Sequence, residues 1–128
     1  VEGMLALIPA AKVGHIGLYR DPETLEPVEY YCKLPSDISA RDVFVTDPML
    51  ATGGSMAASI EALLKTGKPK KIHIACVIAT PEGLEVICEA LPDDSHIWCA
   101  AIDPGMNAQK YIVPGFGDCG DLCYGEKL

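Results

Sequence analysis

The sequence lacks the features that would place this chain in a membrane or on a nucleic acid. Apolar residues make up 49 % of the chain. They never form the uninterrupted run of ~20 residues that a membrane helix needs. Only 10 lysines and arginines oppose 18 acidic residues, and the net charge of −8 argues against a groove for a phosphate backbone. We therefore expect neither a membrane nor a nucleic-acid partner.

Cysteine is present, but its spacing is not that of a metal site or a disulfide framework. The 6 cysteines include no C-x-x-C pair, and none of the 3 histidines has a metal-like spacing to them. Four of them lie in apolar segments, where a free thiol behaves as a small hydrophobic group: Cys32, Cys76, Cys88 and Cys99. Cys119 and Cys123 lie four apart in a Gly-rich segment, where a metal or a disulfide is a minor alternative. With no basic, apolar leader visible, this usage predicts a reducing cytoplasm.

The most informative stretch is VFVTDPMLATGGS, at residues 43–55. Its first four residues, mostly β-branched, predict a buried parallel strand with Asp47 at its carboxyl end. Small residues follow and lead into a helix. Open α/β sheets bind ligands outside the carboxyl ends of strands, and a Gly-rich turn before a helix offers N–H groups to a phosphate. The stretch therefore predicts a phosphate cradle beside an acid that can meet a sugar hydroxyl or a metal.

Two familiar phosphate loops do not match this stretch. A P-loop needs a lysine after its last glycine, and none follows Gly54. A dinucleotide fingerprint needs a third glycine at the right spacing, which is also missing. The remaining alternative is an ordinary strand–helix turn, in which the glycines serve the geometry and Ser55 caps the helix.

The rest of the chain is typical of a single α/β domain. After an apolar helix fragment at 1–11, a β-hairpin is predicted at 13–34. Strands at 42–46, 71–79 and 96–101 then alternate with helices at 54–66 and 81–90. Right-handed crossovers turn this βαβαβ order into a parallel sheet covered by helices. From 103 to 128 the pattern breaks down into a long irregular tail, which is apolar enough to dock on the domain.

Five motifs in this order resemble one family, the uracil phosphoribosyltransferases. DPMLATGGS at 47–55 resembles the family's loop for phosphoribosyl diphosphate (PRPP). The other four are GLYRDPETLEP at 17–27, ATPEG at 79–83, AID at 101–103 and YIVPGFGD at 111–118. The resemblance implies a phosphoribosyltransferase-type parallel sheet flanked by helices, with its core at 42–102. It also implies a β-hairpin arm at 13–34 and a C-terminal hood over the base at 103–128.

The resemblance also implies an activity and a set of ligands. The family forms UMP and pyrophosphate from uracil and PRPP, so we expect a pentosyltransferase of pyrimidine salvage. Mg²⁺ is the implied cofactor, because it offsets the charge of the pyrophosphate. GTP is the implied allosteric activator, and a homodimer or a larger homo-oligomer is the implied assembly.

By position, the resemblance assigns residues to both substrates. The PRPP-binding residues would be Asp47, Pro48, Met49, Leu50, Ala51, Thr52, Gly53, Gly54, Ser55 and Asp118. The uracil-binding residues would be Ile112, Gly117, Asp118 and Cys119, with backbone groups of the first two reading the base. Asp47 is the expected catalytic residue, at the ribose hydroxyls or the metal. Asp118 would meet PRPP or its bound metal, and no residue is assigned as a direct metal ligand.

One feature of the family is missing from these residues. In the family, an Arg-Ala-Gly-Leu-Gly loop that binds pyrophosphate precedes the segment that starts here at Val1. The only arginines in this chain are Arg20 and Arg41. The chain is therefore expected to match the C-terminal portion of the enzyme and to be inactive alone. The alternatives are a non-catalytic protein that binds PRPP or UMP, and a generic doubly wound domain without a nucleotide site.

Overall fold

The computed structural model describes residues 1–21, 23–24 and 26–125. Within them the helices are α1 (Glu2–Leu7), α2 (Gly54–Thr66), α3 (Pro81–Ala90) and α4 (Cys119–Tyr124). The strands are β1 (His15–Arg20), β2 (Pro27–Lys33), β3 (Asp42–Thr46), β4 (Met49–Leu50), β5 (Lys71–Ala79), β6 (His96–Ile102), β7 (Gly105–Met106) and β8 (Ile112–Val113). None of the helices described is long and apolar enough to cross a membrane.

The central sheet is parallel and is built around β5. Both β3 and β4 pair with one side of β5, and β6 pairs with the other side. The register is continuous from Asp42 opposite Lys71 to Leu50 opposite Ala79, so β3 and β4 are one interrupted strand. The predicted strand at 42–46, with Asp47 directly after it, is confirmed as β3, and pairing with β5 resumes at β4. At the interruption the Asp47 N–H donates to Ala75 O, and Pro48 O accepts from the N–H groups of both Val77 and Ile78.

Both crossover helices lie on the same face of this sheet. Two successive right-handed crossovers that move in one direction along a sheet have this result. The core between helices and sheet contains Ile38, Leu50, Met56, Ile60, Leu63, Ile72, Ile74, Ala79 and Ile87. On the other face the rings of Phe44 and His73 stack at 4.7 Å, and Trp98 is 58 % exposed. The predicted parallel sheet flanked by helices is confirmed, with its helices on one face.

The predicted elements of the central sheet agree with the structure. The bounds of β3, β5, α2 and α3 are those expected, and β6 extends one residue further, to Ile102. The hairpin is antiparallel as predicted, with a register shift between Gly17 and Leu18. Burial of cysteines was predicted less well, because Cys32 and Cys88 are exposed. Cys32 lies on the hairpin, away from the core, and an apolar neighbourhood in sequence does not show this.

The tail after β6 is more regular than predicted. Strands β7 and β8 form a short antiparallel pair, and α4 follows. Asn107 organises the turn between the two strands, since its Oδ1 accepts from the backbone N–H groups of Gln109 and Tyr111 at 3.0 Å each. Strands of two residues are too short to leave an alternating pattern in the sequence, which is why periodicity missed them.

Candidate functional site

The carboxyl ends of the central strands meet at one edge of the sheet, and three connections leave from there. The first is the loop at 51–53, which joins β4 to α2. The second is Thr80, which joins β5 to α3 and whose backbone N–H donates to Leu50 O at 3.0 Å. The third is the tail after β6, where the backbone N–H of Asp103 donates to Ala79 O at 2.9 Å. In α/β sheets this edge is where ligands bind.

The loop at 51–53 ends at Gly53, which is the N-cap of α2. Gly53 has a left-handed backbone with φ of +78°, and no side chain caps the helix there. The first N–H groups of α2 are therefore left for a ligand or solvent. Ser55 lies inside the first turn, so the alternative in which Ser55 caps the helix is wrong.

Gly53 and Gly54 have different surroundings. A Cβ at Gly53 would lie 2.8 Å from Gly83 O and 2.9 Å from Val86 Cβ, so Gly53 allows a close approach of α3. A Cβ at Gly54 would meet only Thr52 Oγ1, at 3.9 Å. Gly53 therefore serves the packing of the loop, whereas Gly54 borders open space at the start of the helix.

A cavity of about 260 Å³ opens between this loop and the strand that precedes it. Its lining residues are Asp47, Met49, Leu50, Ala51, Thr52, Gly53, Ser55 and Met56. The volume lies below the roughly 300–1,000 Å³ typical of pockets for drug-sized molecules. The cavity thus suits a compact group such as a phosphate with part of a sugar. Asp47 and the start of α2 both line it.

Asp47 is the ionisable group of this cavity. Burial raises the pKa of its carboxyl group, and the hydrogen bond that Oδ1 accepts from the Met49 N–H at 3.1 Å partly opposes the shift. In the part of the chain that the structure describes, no ion pair includes Asp47. The carboxylate is therefore poorly compensated by its own fold. Such a group gains from a ligand that brings hydroxyl donors or a cation.

A thiol lies beside Asp47 on the neighbouring strand. By the register of the interrupted strand, Asp47 lies opposite Cys76, and Cys76 pairs with Cys99 on β6. Burial, followed by the Cys99 thiol and the charge of Asp47, raises the pKa of Cys76 to about 12. A neutral thiol therefore sits next to the acid and supplies no countercharge. No local pattern connects these residues, because the interruption at Pro48 hides the register.

Thr80 holds the loop at 51–53 against α3. Its side chain is completely buried, its hydroxyl donates to Ala51 O at 2.6 Å, and its Oγ1 accepts from the Gly83 N–H at 3.0 Å. Sequence reasoning found the helix start at Pro81 but gave Thr80 no role in the site. A threonine directly before Pro-Glu is a recognisable N-cap signal. Its bond to a loop 29 residues away is a tertiary contact that no local pattern shows.

The four residues expected at the base lie on the tail. Ile112 is buried on β8, and a bond of 2.7 Å from the Gly115 N–H to Asp103 Oδ2 ties the tail to the end of β6. Gly117 has a φ of +79°, and Asp118 O accepts from the Leu122 N–H at 3.0 Å. Cys119 begins α4. Partial burial and the Cys123 thiol raise the pKa of Cys119.

The structure brings the two halves of the predicted site to the same sheet edge but not into one cavity. As far as the described residues go, the lining of the cavity includes the loop and none of the four tail residues. The PRPP residues at 47–55 are therefore assembled together, except that Pro48 and Gly54 are not among the lining. Asp118 and the uracil residues stay a prediction that this geometry does not test.

Known proteins resemble the chain along nearly its whole length. The family model described as uracil phosphoribosyltransferase matches residues 1–126. The uracil phosphoribosyltransferases of Agathobacter rectalis and Clostridium perfringens are each 61 % identical over 127 residues, and that of Brevibacillus brevis is 57 % identical. Each alignment covers 99 % of this chain and 60 % of the relative, so the chain spans well under two thirds of the length of these curated relatives.

A solved structure agrees with the fold. The structure of the AQ2163 protein from Aquifex aeolicus matches 97 % of this chain with a TM-score of 0.88 and 41 % sequence identity. The match covers 58 % of that protein. The relatives and the solved structure are thus both longer than the chain.

Proposed function

Since the chain belongs to the uracil phosphoribosyltransferase family, we propose that the protein containing it makes UMP and pyrophosphate from uracil and PRPP. The observation that carries this proposal is the cavity at the start of α2. There the uncapped N–H groups of the helix and the poorly compensated carboxylate of Asp47 border the same compact space. A sugar phosphate offers an anion to the first and hydroxyl groups to the second.

The proposed roles follow from these positions. The 5′-phosphate of PRPP would bind at 52–55, and Asp47 would accept hydrogen bonds from the ribose hydroxyls. Uracil would lie under the tail, where the backbone of Ile112 and Gly117 can match its alternating C=O and N–H groups. Its ring nitrogen forms the bond to C1 of the ribose and loses its proton, while the bond from C1 to the pyrophosphate oxygen breaks. Catalysis would rest on positioning and exclusion of water.

Magnesium is part of the proposal because pyrophosphate is a highly charged leaving group. When bound, Mg²⁺ offsets that charge through hard oxygen ligands. Among the residues that the structure describes, no three His, Cys, Asp or Glu side chains lie close enough to share an ion. The oxygen ligands present suit an ion that arrives on PRPP, with Asp47 or Asp118 as the carboxylates this chain can add.

We extend the proposal to assembly, regulation and location. The hairpin leaves Tyr19, Tyr30 and Tyr31 between 47 % and 68 % exposed, and an isolated two-stranded hairpin is marginal in water. This supports a homodimer or larger homo-oligomer with Tyr30 in the interface. Leu25, the other interface candidate, lies outside the described residues. GTP activation rests on the family alone, and the free cysteines support a cytoplasmic location.

A binding-only role is the second candidate for the chain by itself. Its Arg41 donates to Asp37 in an ion pair of 2.6 Å, away from the cavity, so this guanidinium is already engaged. Residues 1–128 contain no Arg-Ala-Gly-Leu-Gly loop, and a chain without that loop can hold a nucleoside monophosphate without forming it. UMP binding without turnover by residues 1–128 is the expected behaviour of this candidate.

The test is to express the longer protein and to measure nucleotide formation from PRPP with uracil, cytosine, hypoxanthine and orotate in turn. We expect UMP and pyrophosphate in equal amounts with uracil, and little product with the other bases. No product with any base, or a clear preference for a base other than uracil, would contradict the proposal.

A further inference from the structure

Two consecutive carbonyl groups, Leu50 O at the end of β4 and Ala51 O in the loop at 51–53, accept hydrogen bonds from the residue that caps α3. Leu50 O accepts from the backbone N–H of Thr80 at 3.0 Å, and Ala51 O accepts from the Thr80 hydroxyl at 2.6 Å. The same hydroxyl oxygen accepts from the Gly83 N–H at 3.0 Å. One buried threonine therefore joins the loop and the helix through three hydrogen bonds.

Two glycines allow the loop and the helix to come this close. A Cβ on Gly83 would lie inside the contact distance of Ala51 O and 2.9 Å from Leu50 O. From the other side, a Cβ on Gly53 would lie 2.8 Å from Gly83 O. A methyl group at Gly83 would therefore have to displace the backbone of the loop, because no flexible side chain is there to yield.

The hydrogen bonds to Leu50 O and Ala51 O also orient the backbone N–H groups of the residues that follow them. In a trans peptide the C=O and the next N–H point in opposite directions. Because Ala51 O is directed at Thr80, the N–H of Thr52 is directed away from α3, and Thr52 lines the cavity. By the same argument, Leu50 O fixes the direction of the Ala51 N–H. The contact with α3 thus sets the direction of backbone donors on the loop proposed to bind phosphate.

We propose that Thr80 and Gly83 are positioning residues for PRPP, and that they act through the orientation of the loop at 51–53. The inference rests on the proposed function, which supplies the ligand. It adds the start of α3 to the machinery, although neither residue lines the cavity. The competing explanation is that Thr80 is an ordinary helix cap that stabilises the fold. Such a cap would change the melting temperature without changing the affinity for PRPP.

The test uses the longer protein with matched substitutions. Thr80→Val keeps the shape and removes the hydroxyl, and Thr80→Ser keeps the hydroxyl. Thr66→Val is the control, because Thr66 also donates to a backbone carbonyl, Leu63 O at 2.8 Å, but at the far end of α2. Gly83→Ala is a second probe that leaves the hydroxyl in place.

We expect Thr80→Val to raise the KM for PRPP by about tenfold, the effect of losing one or two buried hydrogen bonds. The KM for uracil should change by less than about threefold, since the tail binds the base. Thr80→Ser should restore the KM for PRPP to within about threefold of the wild type, and Thr66→Val should leave it unchanged. Gly83→Ala should reproduce the effect of Thr80→Val.

Calorimetric titration with UMP measures the same effect without turnover. A lower melting temperature with unchanged KM and UMP affinity in both Thr80→Val and Gly83→Ala would overturn the inference, and so would a failure of Thr80→Ser to restore them. If Thr80→Val does not fold, Gly83→Ala and Thr80→Ser decide by the same criteria. A wild type that binds UMP but forms none would contradict the proposed function alone. A wild type that binds neither UMP nor PRPP would contradict both.

Discussion

Replacing Asp47 by asparagine should separate binding from stability. Asparagine has nearly the same shape, and its Oδ1 can still accept the 3.1 Å bond from the Met49 N–H. The substitution removes only the charge. Because burial is the larger of the two influences on Asp47 and raises its pKa, the charge destabilises the folded protein. We therefore expect Asp47→Asn to weaken PRPP binding and to stabilise the fold.

The magnitudes follow from the same contacts. Removing a partly buried carboxylate should raise the free energy of unfolding and, with it, the melting temperature of the longer protein. Hydrogen bonds to a charged group contribute about 1.5–3 kcal/mol, so losing them at the ribose should lower kcat/KM for PRPP by roughly 10- to 100-fold. The KM for uracil should change less.

The gain in stability should depend on pH in a defined direction. The pKa of Asp47 is raised above the 3.8 of the unfolded chain, so the folded protein holds the proton more tightly. The stability that comes from this proton is present below 3.8 and is lost as the pH rises through the folded-state pKa. The variant should therefore gain most over the wild type at neutral pH and least toward pH 4.

Thermal melts of the longer protein from pH 4 to 8, together with steady-state kinetics at neutral pH, check both parts. A variant that melts lower than the wild type at neutral pH would show that the acid mainly caps its own loop. Unchanged turnover of Asp47→Asn with PRPP would show that Asp47 does not bind the ribose hydroxyls.

Three further predictions concern the loop, the hairpin and the chain by itself. Gly54→Val should abolish UMP binding in calorimetry with little change in melting temperature, because its side chain enters open space at the helix start that the phosphate needs. Gly3→Val, also in open space, is the control. Normal UMP binding by Gly54→Val would contradict phosphate binding at this loop. Tyr30→Asp should shift the longer protein toward monomers in sedimentation, since Tyr30 is 68 % exposed on the hairpin, and an unchanged oligomer would contradict this interface. Residues 1–128 alone should form no UMP, because they lack the family's pyrophosphate loop. They should also associate in solution, because an open sheet edge and an exposed sheet face remain. Turnover equal to that of the longer protein would show that the pyrophosphate loop is dispensable.

Local sequence patterns predicted the parts of the fold that depend on local chemistry. The β-branched run before Asp47 and the Pro-Glu start of α3 correspond to elements with the expected bounds. The continuation of β3 into β4 could not be predicted in this way. It depends on Pro48 O accepting from the N–H groups of Val77 and Ile78, and these contacts form only when the strands are side by side.

The site was predicted in the same uneven way. The loop at 51–53 could be found because glycines before a helix have a direct physical meaning for anions. The role of Thr80 could not, because its hydroxyl satisfies a local cap and a distant carbonyl at once, and only the cap has a sequence signature. Residues that position a loop from a neighbouring element are therefore the ones that sequence analysis is bound to miss.

The open face of the sheet shows why exposure alone does not identify a ligand site. Phe44, His73, His96 and Trp98 stack there, and such a group of rings could be taken for a nucleobase platform. The His73 Nδ1, however, already accepts from the Trp98 indole N–H at 3.3 Å. Parallel sheets in α/β domains are covered on both faces, and the chain spans only 60 % of the length of its relatives. The face therefore has the character of an interior surface that the rest of a longer protein is expected to cover. The loop at the sheet edge differs, because its uncapped helix start and the poorly compensated Asp47 would both gain from the proposed ligand, which carries an anion and hydroxyl groups.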